Sequence, residues 1–238
     1  MLIPIIQIIS LASTIISFFF VVKLWQHTRI TQISSHKSFF WFFFLISLMT
    51  GAFSLPLLLI KNPVIIQIIT NLAYLFFAIS LSYLFRFTAI LTQLEEKVQK
   101  IIQRFIVLSG FLIFLWQIFY LRPVELVYPK ILGISLIYYS NTAPLFSNFL
   151  MGFLGLVVFL WGSFTFLVYV KDAHQSNINR KKALLLCIGF SLASIAIVAY
   201  FFLGIPTSNF LYFLIAIIFS LTASPLISRA AFMKSSSR

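Results

Sequence analysis

Seven long apolar stretches dominate the sequence and restrict the folds that the chain can adopt. A helix that crosses the hydrocarbon core of a bilayer needs about 20 predominantly apolar residues. The approximate ranges of the stretches are 2–22, 38–60, 64–86, 105–121, 144–170, 182–203 and 207–228. None of them alternates polar and apolar residues as the strands of a membrane β-barrel do. We therefore predict one all-α domain over residues 1–238, a polytopic membrane protein with seven transmembrane helices.

The composition excludes most other classes of protein. Hydrophobic residues make up 61% of the chain and charged residues only 9%, whereas soluble domains are about 45–50% apolar and about 25% charged. So few charges cannot cover a water-soluble globule, which excludes a soluble enzyme, a disordered tail and a secreted disulfide scaffold. The single cysteine, Cys187, cannot form an intrachain disulfide.

The positive charges predict the orientation of the helices. The chain has 17 lysines and arginines against four acids, and cytoplasmic loops of membrane proteins are enriched in lysine and arginine. With the N-terminus outside, only three of these cations lie in outer connections, namely Lys61, Arg122 and Lys130. The other 14 fall on the cytoplasmic side: Lys23, Arg29, Lys37, Arg86, Lys97, Lys100, Arg104, Lys171, Arg180, Lys181, Lys182, Arg229, Lys234 and Arg238. We predict a multi-pass protein of the cell membrane with a cytoplasmic C-terminus, and no binding of nucleic acid.

Residues that carry covalent or redox chemistry are scarce in the predicted spans. All four acids, Glu95, Glu96, Glu125 and Asp172, lie in connections, although ion-coupled transporters usually need ionisable groups within the membrane. No histidine lies in the middle of a span, as a buried haem would require. No nucleophile elbow or phosphate-binding glycine loop occurs either. We therefore predict a protein that is not an enzyme and that holds neither a metal nor another cofactor.

Amide side chains are the most polar groups within the predicted spans. They are Gln7, Gln67, Asn71, Gln117, Asn148 and Asn209, and the predicted topology puts all six in the outer half of the bilayer. One interpretation is an outward-facing, uncharged cavity for a neutral small molecule. Its predicted ligand-binding residues are Asn71, Tyr74, Gln117, Asn148, Tyr200 and Tyr212. The other interpretation is that the amides bond neighbouring helices to each other, because an unpaired buried amide costs roughly 2–7 kcal/mol.

Two connections are longer than a simple turn requires. Residues 87–104 have helical periodicity, with charges largely on one face, and predict either an extension of the third helix or a helix on the membrane surface. Residues 122–143 are rich in β-branched and aromatic residues and include Pro129 and Gly133. This composition favours a short hairpin or cap over the outer face.

Two short segments resemble a known family of membrane sensors. The run Asn179-Arg-Lys-Lys-Ala-Leu-Leu-Leu-Cys-Ile-Gly-Phe190, with a helix ending near Leu203-Gly204, is similar to the sixth-helix entry of the seven-helix sensor region of some bacterial histidine kinases. Tyr83-Leu-Phe-Arg86-Phe-Thr is similar to the same family at the end of helix three. The resemblance implies a region that senses a signal and passes it to an output domain. Because the sequence contains no kinase, it implies a sensor that acts through a partner, or a fragment.

Three functions remain open from the sequence. The first is a receptor-like or sensor-like protein that binds a neutral ligand in its outer half and signals through a cytoplasmic or membrane partner. The second is a facilitative transporter of a neutral solute built as three, one and three helices, which a faint similarity between helices one to three and five to seven favours. The third is a structural membrane subunit whose partners are lipid and other chains.

Overall fold

The computed structural model contains seven long helices and a small β-hairpin. It describes residues 5–31, 34–59, 62–123, 125–127, 130–131, 134–135, 138–140, 143–171, 177–207 and 210–232. The helices are α1 (Ile5–Thr31), α2 (Ser34–Leu59), α3 (Pro63–Leu91), α4 (Glu96–Phe119), α5 (Leu145–Lys171), α6 (Asn177–Thr207) and α7 (Phe210–Phe232). Six of them, α2 to α7, are long and apolar enough to span a membrane, and α1 is apolar over the shorter range Ser10–Gln26. The prediction of an all-helical, multi-pass membrane protein is thereby confirmed.

The connection 87–104 belongs to two spanning helices. Helix α3 continues to Leu91, as the first alternative predicts, and α4 already begins at Glu96. The turn between them includes Gln93, whose φ of 54° lies in the left-handed region. The amide of Leu94 donates back to the carbonyl of Ala89 at 3.0 Å and closes the turn. A separate surface helix is therefore wrong for this segment, and the fourth helix starts nine residues before the predicted 105.

The connection between the fourth and fifth helices forms a β-hairpin, as its composition predicts. Strand β1 (Glu125–Val127) pairs with β4 (Tyr138–Ser140), and β2 (Lys130–Ile131) pairs with β3 (Ile134–Ser135), both antiparallel. The residue numbers of every pair add up to the same total, from Glu125 with Ser140 to Ile131 with Ile134. The two ladders therefore continue one register. Strand β4 also lies against α1. We call the end of the bundle that carries these strands the hairpin end, and the other the opposite end.

Six helices surround the centre of the bundle and α4 lies outside it. Helices α1, α2 and α3 pack in sequence, as do α5, α6 and α7, while α3 contacts α5 and α1 contacts α7 to complete the circuit. Helix α4 packs mainly on α3 and buries the face Ile106, Gly110, Ile113 and Gln117. Its other face exposes large apolar side chains such as Phe105 and Leu112. This one-sided burial is expected of a peripheral helix that meets lipid.

Helix α6 does not end at Leu203-Gly204 as predicted. It runs through a π-helical segment, Val198–Gly204, and continues to Thr207. The amide of Ile205 donates to the carbonyl of Tyr200, five residues earlier. Pro206 has no amide hydrogen, so the carbonyl of Phe202 lacks its usual α-helical donor. A π-helical segment is rare and frequently accompanies a functional site, and this one contributes two side chains to the cavity described next.

Candidate functional site

A cavity of about 300 Å³ lies at the centre of the bundle. Helices α1, α2 and α3 line one side of it, and α6 and α7 line the other. The lining residues of α3 come from its first half, and those of α6 from its second half. Both of these halves are at the hairpin end, whereas Phe42 of α2 and Ile227 of α7 extend the cavity past the middle of the bundle towards the opposite end. Its volume is at the lower limit of common small-molecule sites.

Five aromatic rings from four helices form one wall of this cavity. Tyr200 and Phe201 come from the π-helical segment of α6, and Phe53, Tyr74 and Phe213 come from α2, α3 and α7. The ring of Tyr200 meets those of Phe201 and Phe213 edge to face, at centroid distances of 4.9 Å and 5.5 Å. Tyr74 meets Phe53 in the same way at 5.6 Å. The hydroxyl groups of Tyr74 and Tyr200 lie 3.4 Å apart, so the two sides of the cavity are joined by one long hydrogen bond.

Hydroxyl groups supply most of the remaining polarity of the cavity. They belong to Ser10, Ser13, Ser17, Thr50, Thr70, Ser220 and Ser224. No charged or amide side chain lines the cavity among the described residues. Ser10 donates to the carbonyl of Thr50, and Thr14 donates to the hydroxyl of Thr50, which bonds α1 to α2 beside the cavity. Ser10, Ser13 and Ser17 recur at helical spacing in the sequence. This pattern indicates one polar face of α1, although the predicted site does not include it.

One hydroxyl group of the cavity wall is buried without a partner. The Oγ of Ser224 has no hydrogen-bond partner within the described part of the chain. Ser228, one turn later, instead donates to the carbonyl of Ser224 at 2.7 Å. Pro225 follows inside α7, and its missing amide hydrogen leaves the carbonyl of Leu221 without its usual donor. An unsatisfied buried hydroxyl costs about 1–3 kcal/mol.

A circuit of phenylalanine rings packs four helices together next to the cavity, on its side towards the opposite end. Phe42 and Phe159 line the cavity, and their centroids are 6.3 Å apart. Phe159 contacts Phe190 at 5.9 Å, Phe190 contacts Phe166, and Phe166 contacts Phe87. Phe39 contacts both Phe87 and Phe42 and completes the circuit. Its members are Phe39, Phe42, Phe87, Phe159, Phe166 and Phe190, all buried. We call this set the phenylalanine layer; it joins α2, α3, α5 and α6 between the cavity and the opposite end.

The structure separates the predicted site residues into two groups. Tyr74 and Tyr200 line the cavity, but Asn71, Gln117 and Asn148 do not. The three amides are at most 1% exposed and lie where α3, α4 and α5 meet. Tyr212 is half-buried on α7 and does not line the cavity either. The side chains of two further amides, Gln7 and Asn209, lie outside the described part of the chain.

The buried amides bond to each other and to nearby backbone, as their second interpretation predicts. Gln67 donates to Asn71 at 2.7 Å, and Asn71 donates to the backbone carbonyl of Gln117 at 3.4 Å. The side chain of Gln117 donates to the hydroxyl of Ser147, and Asn148 donates to the carbonyl of Ala143. We call this cluster the amide seam. Its residues tie α4 to α3 and α5 and stand outside the cavity.

The fold and the cavity together define a seven-helix membrane protein with an uncharged internal site. In the described residues, no three histidine, cysteine or acidic side chains lie close enough to hold a metal ion. No protein-family model matches the chain, and no curated protein sequence matches it significantly. The physical properties of the cavity are therefore what any functional proposal has to explain.

Proposed function

We propose that this chain is a sensor-like membrane protein that binds a neutral, largely apolar ligand in its central cavity. The observation that carries the proposal is an internal cavity whose described walls combine aromatic rings with hydroxyl groups and carry no charged side chain. Apolar walls with a few convergent polar groups are typical of small-molecule sites. The ligand class is an uncharged molecule with one or two hydroxyl or carbonyl groups. The described amide side chains, which first suggested an uncharged cavity, do not line this site.

The proposed mechanism is a shift between two helix arrangements. Tyr200 at the cavity and Phe190 in the phenylalanine layer lie on the same helix, and so do Tyr74 and Phe87. A ligand that binds one arrangement better than the other favours it, by no more than the difference in affinity. The change would reach the opposite end, where α4 begins with Lys97 and Lys100 and α6 begins with Arg180 and Lys181, and we propose that this end is cytoplasmic. A cytoplasmic or membrane partner that contacts this end would receive the signal, and the cell membrane is the proposed location.

A facilitative transporter is the second candidate, and one observation favours it. Helices α1 to α3 and α5 to α7 form two groups of three on either side of the cavity, with α4 outside both. Transporters built from repeated helix groups place their substrate at such an interface. The phenylalanine layer favours the sensor, because its packed rings fill the space between α2, α3, α5 and α6 on the side of the cavity that faces the opposite end. Uptake of a bound ligand into vesicles at rates above passive leakage would show that the protein is a transporter and would contradict the proposed sensor function.

Ligand binding tests the proposed site directly. The purified protein in lipid nanodiscs is screened by thermal unfolding against a panel of uncharged alcohols, ketones and quinones. For a compound that stabilises the protein, we expect Tyr200→Phe to weaken binding about 2- to 12-fold, because one neutral hydrogen bond contributes about 0.5–1.5 kcal/mol. Tyr83→Phe is the matched control, since Tyr83 stacks on Trp41 and does not line the cavity. Equal losses from both variants, or stabilisation by charged solutes alone, would contradict the proposed site.

A further inference from the structure

The cavity is much longer than it is wide. On α7 its lining residues run from Phe213 to Ile227, which corresponds to about 21 Å along the helix axis. On α2 they run from Phe42 to Phe53, or about 16 Å. A rounded cavity of 300 Å³ would be only about 8 Å across, the length of about five helical residues. The cavity is therefore a narrow slot that follows the axis of the bundle.

The packing of α6 on α7 shows where the tyrosine hydroxyls lie along this slot. A β-carbon added at Gly189 of α6 would lie 2.5 Å from Ile227 of α7, so these two residues are level with each other. Because α6 and α7 run in opposite directions, Tyr200 is then level with Ala216. The hydroxyl of Tyr74 lies 3.4 Å from that of Tyr200. Both phenols are thus in the part of the slot nearer the hairpin end.

The part of the slot beyond these phenols offers mainly apolar surface. Its walls include Phe42, Phe43, Phe159, Ala193, Ala223 and Ile227. Ser220, one turn past the level of Tyr200, is exposed. Of the two serines farther on, Ser17 is only 2% exposed, and the Oγ of Ser224 is itself buried. The slot therefore has a polar part towards the hairpin end and an apolar part against the phenylalanine layer.

We propose that the ligand is a single unbranched hydrocarbon chain with one uncharged polar group at its end, such as a long-chain alcohol. This inference rests on the proposed ligand-binding function and names the class of molecule that the same cavity takes. The polar group lies beside Tyr74 and Tyr200, and the chain extends along the slot to the phenylalanine layer. A slot this narrow excludes a compact ring system of the same carbon number.

The length of the slot sets the length of the chain. Ala216, level with Tyr200, is eleven residues from Ile227, or about 16 Å along α7. An extended hydrocarbon chain advances by about 1.3 Å for each C–C bond of about 1.5 Å. The apolar part of the slot therefore takes about 12 carbons.

A homologous series of alcohols tests the proposal. Thermal unfolding of the full chain in nanodiscs is followed with linear alcohols from 1-hexanol to 1-octadecanol, each titrated as a mole fraction of the lipid. We expect binding to strengthen up to about 1-dodecanol, because each added methylene fills empty space with contacts, and to weaken beyond it, because longer chains must displace packed rings. Cyclododecanol has the same carbon number and the same hydroxyl group. It should need about tenfold more for half-saturation than 1-dodecanol does.

A variant at the apolar part of the slot tests where the chain lies. Ala193 lines the cavity and is level with Ala223, four residues before Ile227. Ala193→Leu should therefore shorten the best-binding alcohol by about four carbons. Thr222→Leu is the matched control, because Thr222 is exposed at the same level and does not line the cavity. If Ala193→Leu fails to fold, Ala193→Val fills the same place with a smaller side chain.

The possible failures separate the chain from the proposed function. Equal binding of cyclododecanol and 1-dodecanol, or stabilisation by ketones and quinones but by no linear alcohol, would overturn the chain while the proposed function stands. A best-binding length that Ala193→Leu leaves unchanged, or that Thr222→Leu shortens equally, would also overturn it. Stabilisation by no uncharged compound of any shape would contradict the proposed function too.

Discussion

At the scale of single residues, the hydroxyl pair of Tyr74 and Tyr200 is central to the proposed site. Hydrogen bonds between oxygens are usually 2.5–3.0 Å long, and this one measures 3.4 Å. A weak bond between the buried phenol of Tyr74 and the half-buried phenol of Tyr200 is easily replaced by stronger bonds to a ligand oxygen. Tyr200 is also held in a π-helical segment, so its hydroxyl position depends on the local backbone of α6 as well as on packing.

The amide seam should affect stability and not ligand binding. Asn71→Leu removes the acceptor of Gln67 and the donor to the Gln117 carbonyl, and it should destabilise the protein by about 1–3 kcal/mol. Gln103→Leu is the control, because Gln103 is a half-buried amide on α4 outside the seam. The measurement is thermal unfolding with and without a cavity ligand. A loss of ligand binding without a loss of stability would contradict this prediction and show that Asn71 takes part in binding.

The residues of the site were only partly predictable from the sequence. Helical phase and depth were sufficient to find Tyr74 and Tyr200 as members of one site. The same criteria grouped Asn71 with them, although it lies one turn from Tyr74 and bonds towards α4. Which neighbouring helix a side chain faces depends on the packing of the whole bundle, and periodicity does not contain that information. The serines are a weaker signal than the tyrosines, because a helical serine can satisfy its hydroxyl on its own backbone, as Ser194 does, and only their shared spacing on α1 indicates a common face.

At the scale of elements, the sequence predicted every long helix, and the errors are in where some of the helices begin or end. Asn62 and Pro63 mark the start of α3, where Asn62 accepts from the amides of Val64 and Ile65. Gly204 was expected to end α6, but glycine ends a helix where it adopts a left-handed φ, and the φ of Gly204 is not in that region. Here Gly204 is buried against Phe213, so the helix continues. Charged residues moved the predicted start of α4 too far along the chain, because helices extend beyond the apolar span.

The closest approach of two helices predicts a rescue experiment. A methyl group at Gly110 would collide with Ala78, so Gly110→Ala should destabilise the protein by about 1–3 kcal/mol. Adding Ala78→Gly moves the methyl group from α3 to α4 and should restore most of the stability. The control is Gly51→Ala, where a β-carbon would lie 3.6 Å from Thr14 in ordinary contact. Unfolding midpoints of the four proteins, wild type included, decide the matter; an unstable double variant would show that α3 and α4 do not meet here.

At the scale of the whole molecule, the fold class was the most predictable property and the site the least. Seven apolar stretches predict seven helices because the bilayer imposes length and composition on each one separately. The position of the cavity depends on all of them together. It exists because α1 and α7 bring serines where the other seams bring glycine against a larger side chain. The phenylalanine layer likewise gathers rings from four helices that are far apart in sequence.

The central claim is that ligand in the cavity changes the arrangement of helices at the opposite end. The most direct measurement is the distance between spin labels at Gln93 and Asn177, which are both exposed at that end, in a Cys187→Ser background in nanodiscs. Distance distributions are recorded without ligand and at concentrations that saturate the thermal stabilisation. The account predicts a second population that grows with ligand and needs more ligand in Tyr200→Phe. An unchanged distribution at full occupancy of the cavity would contradict the account.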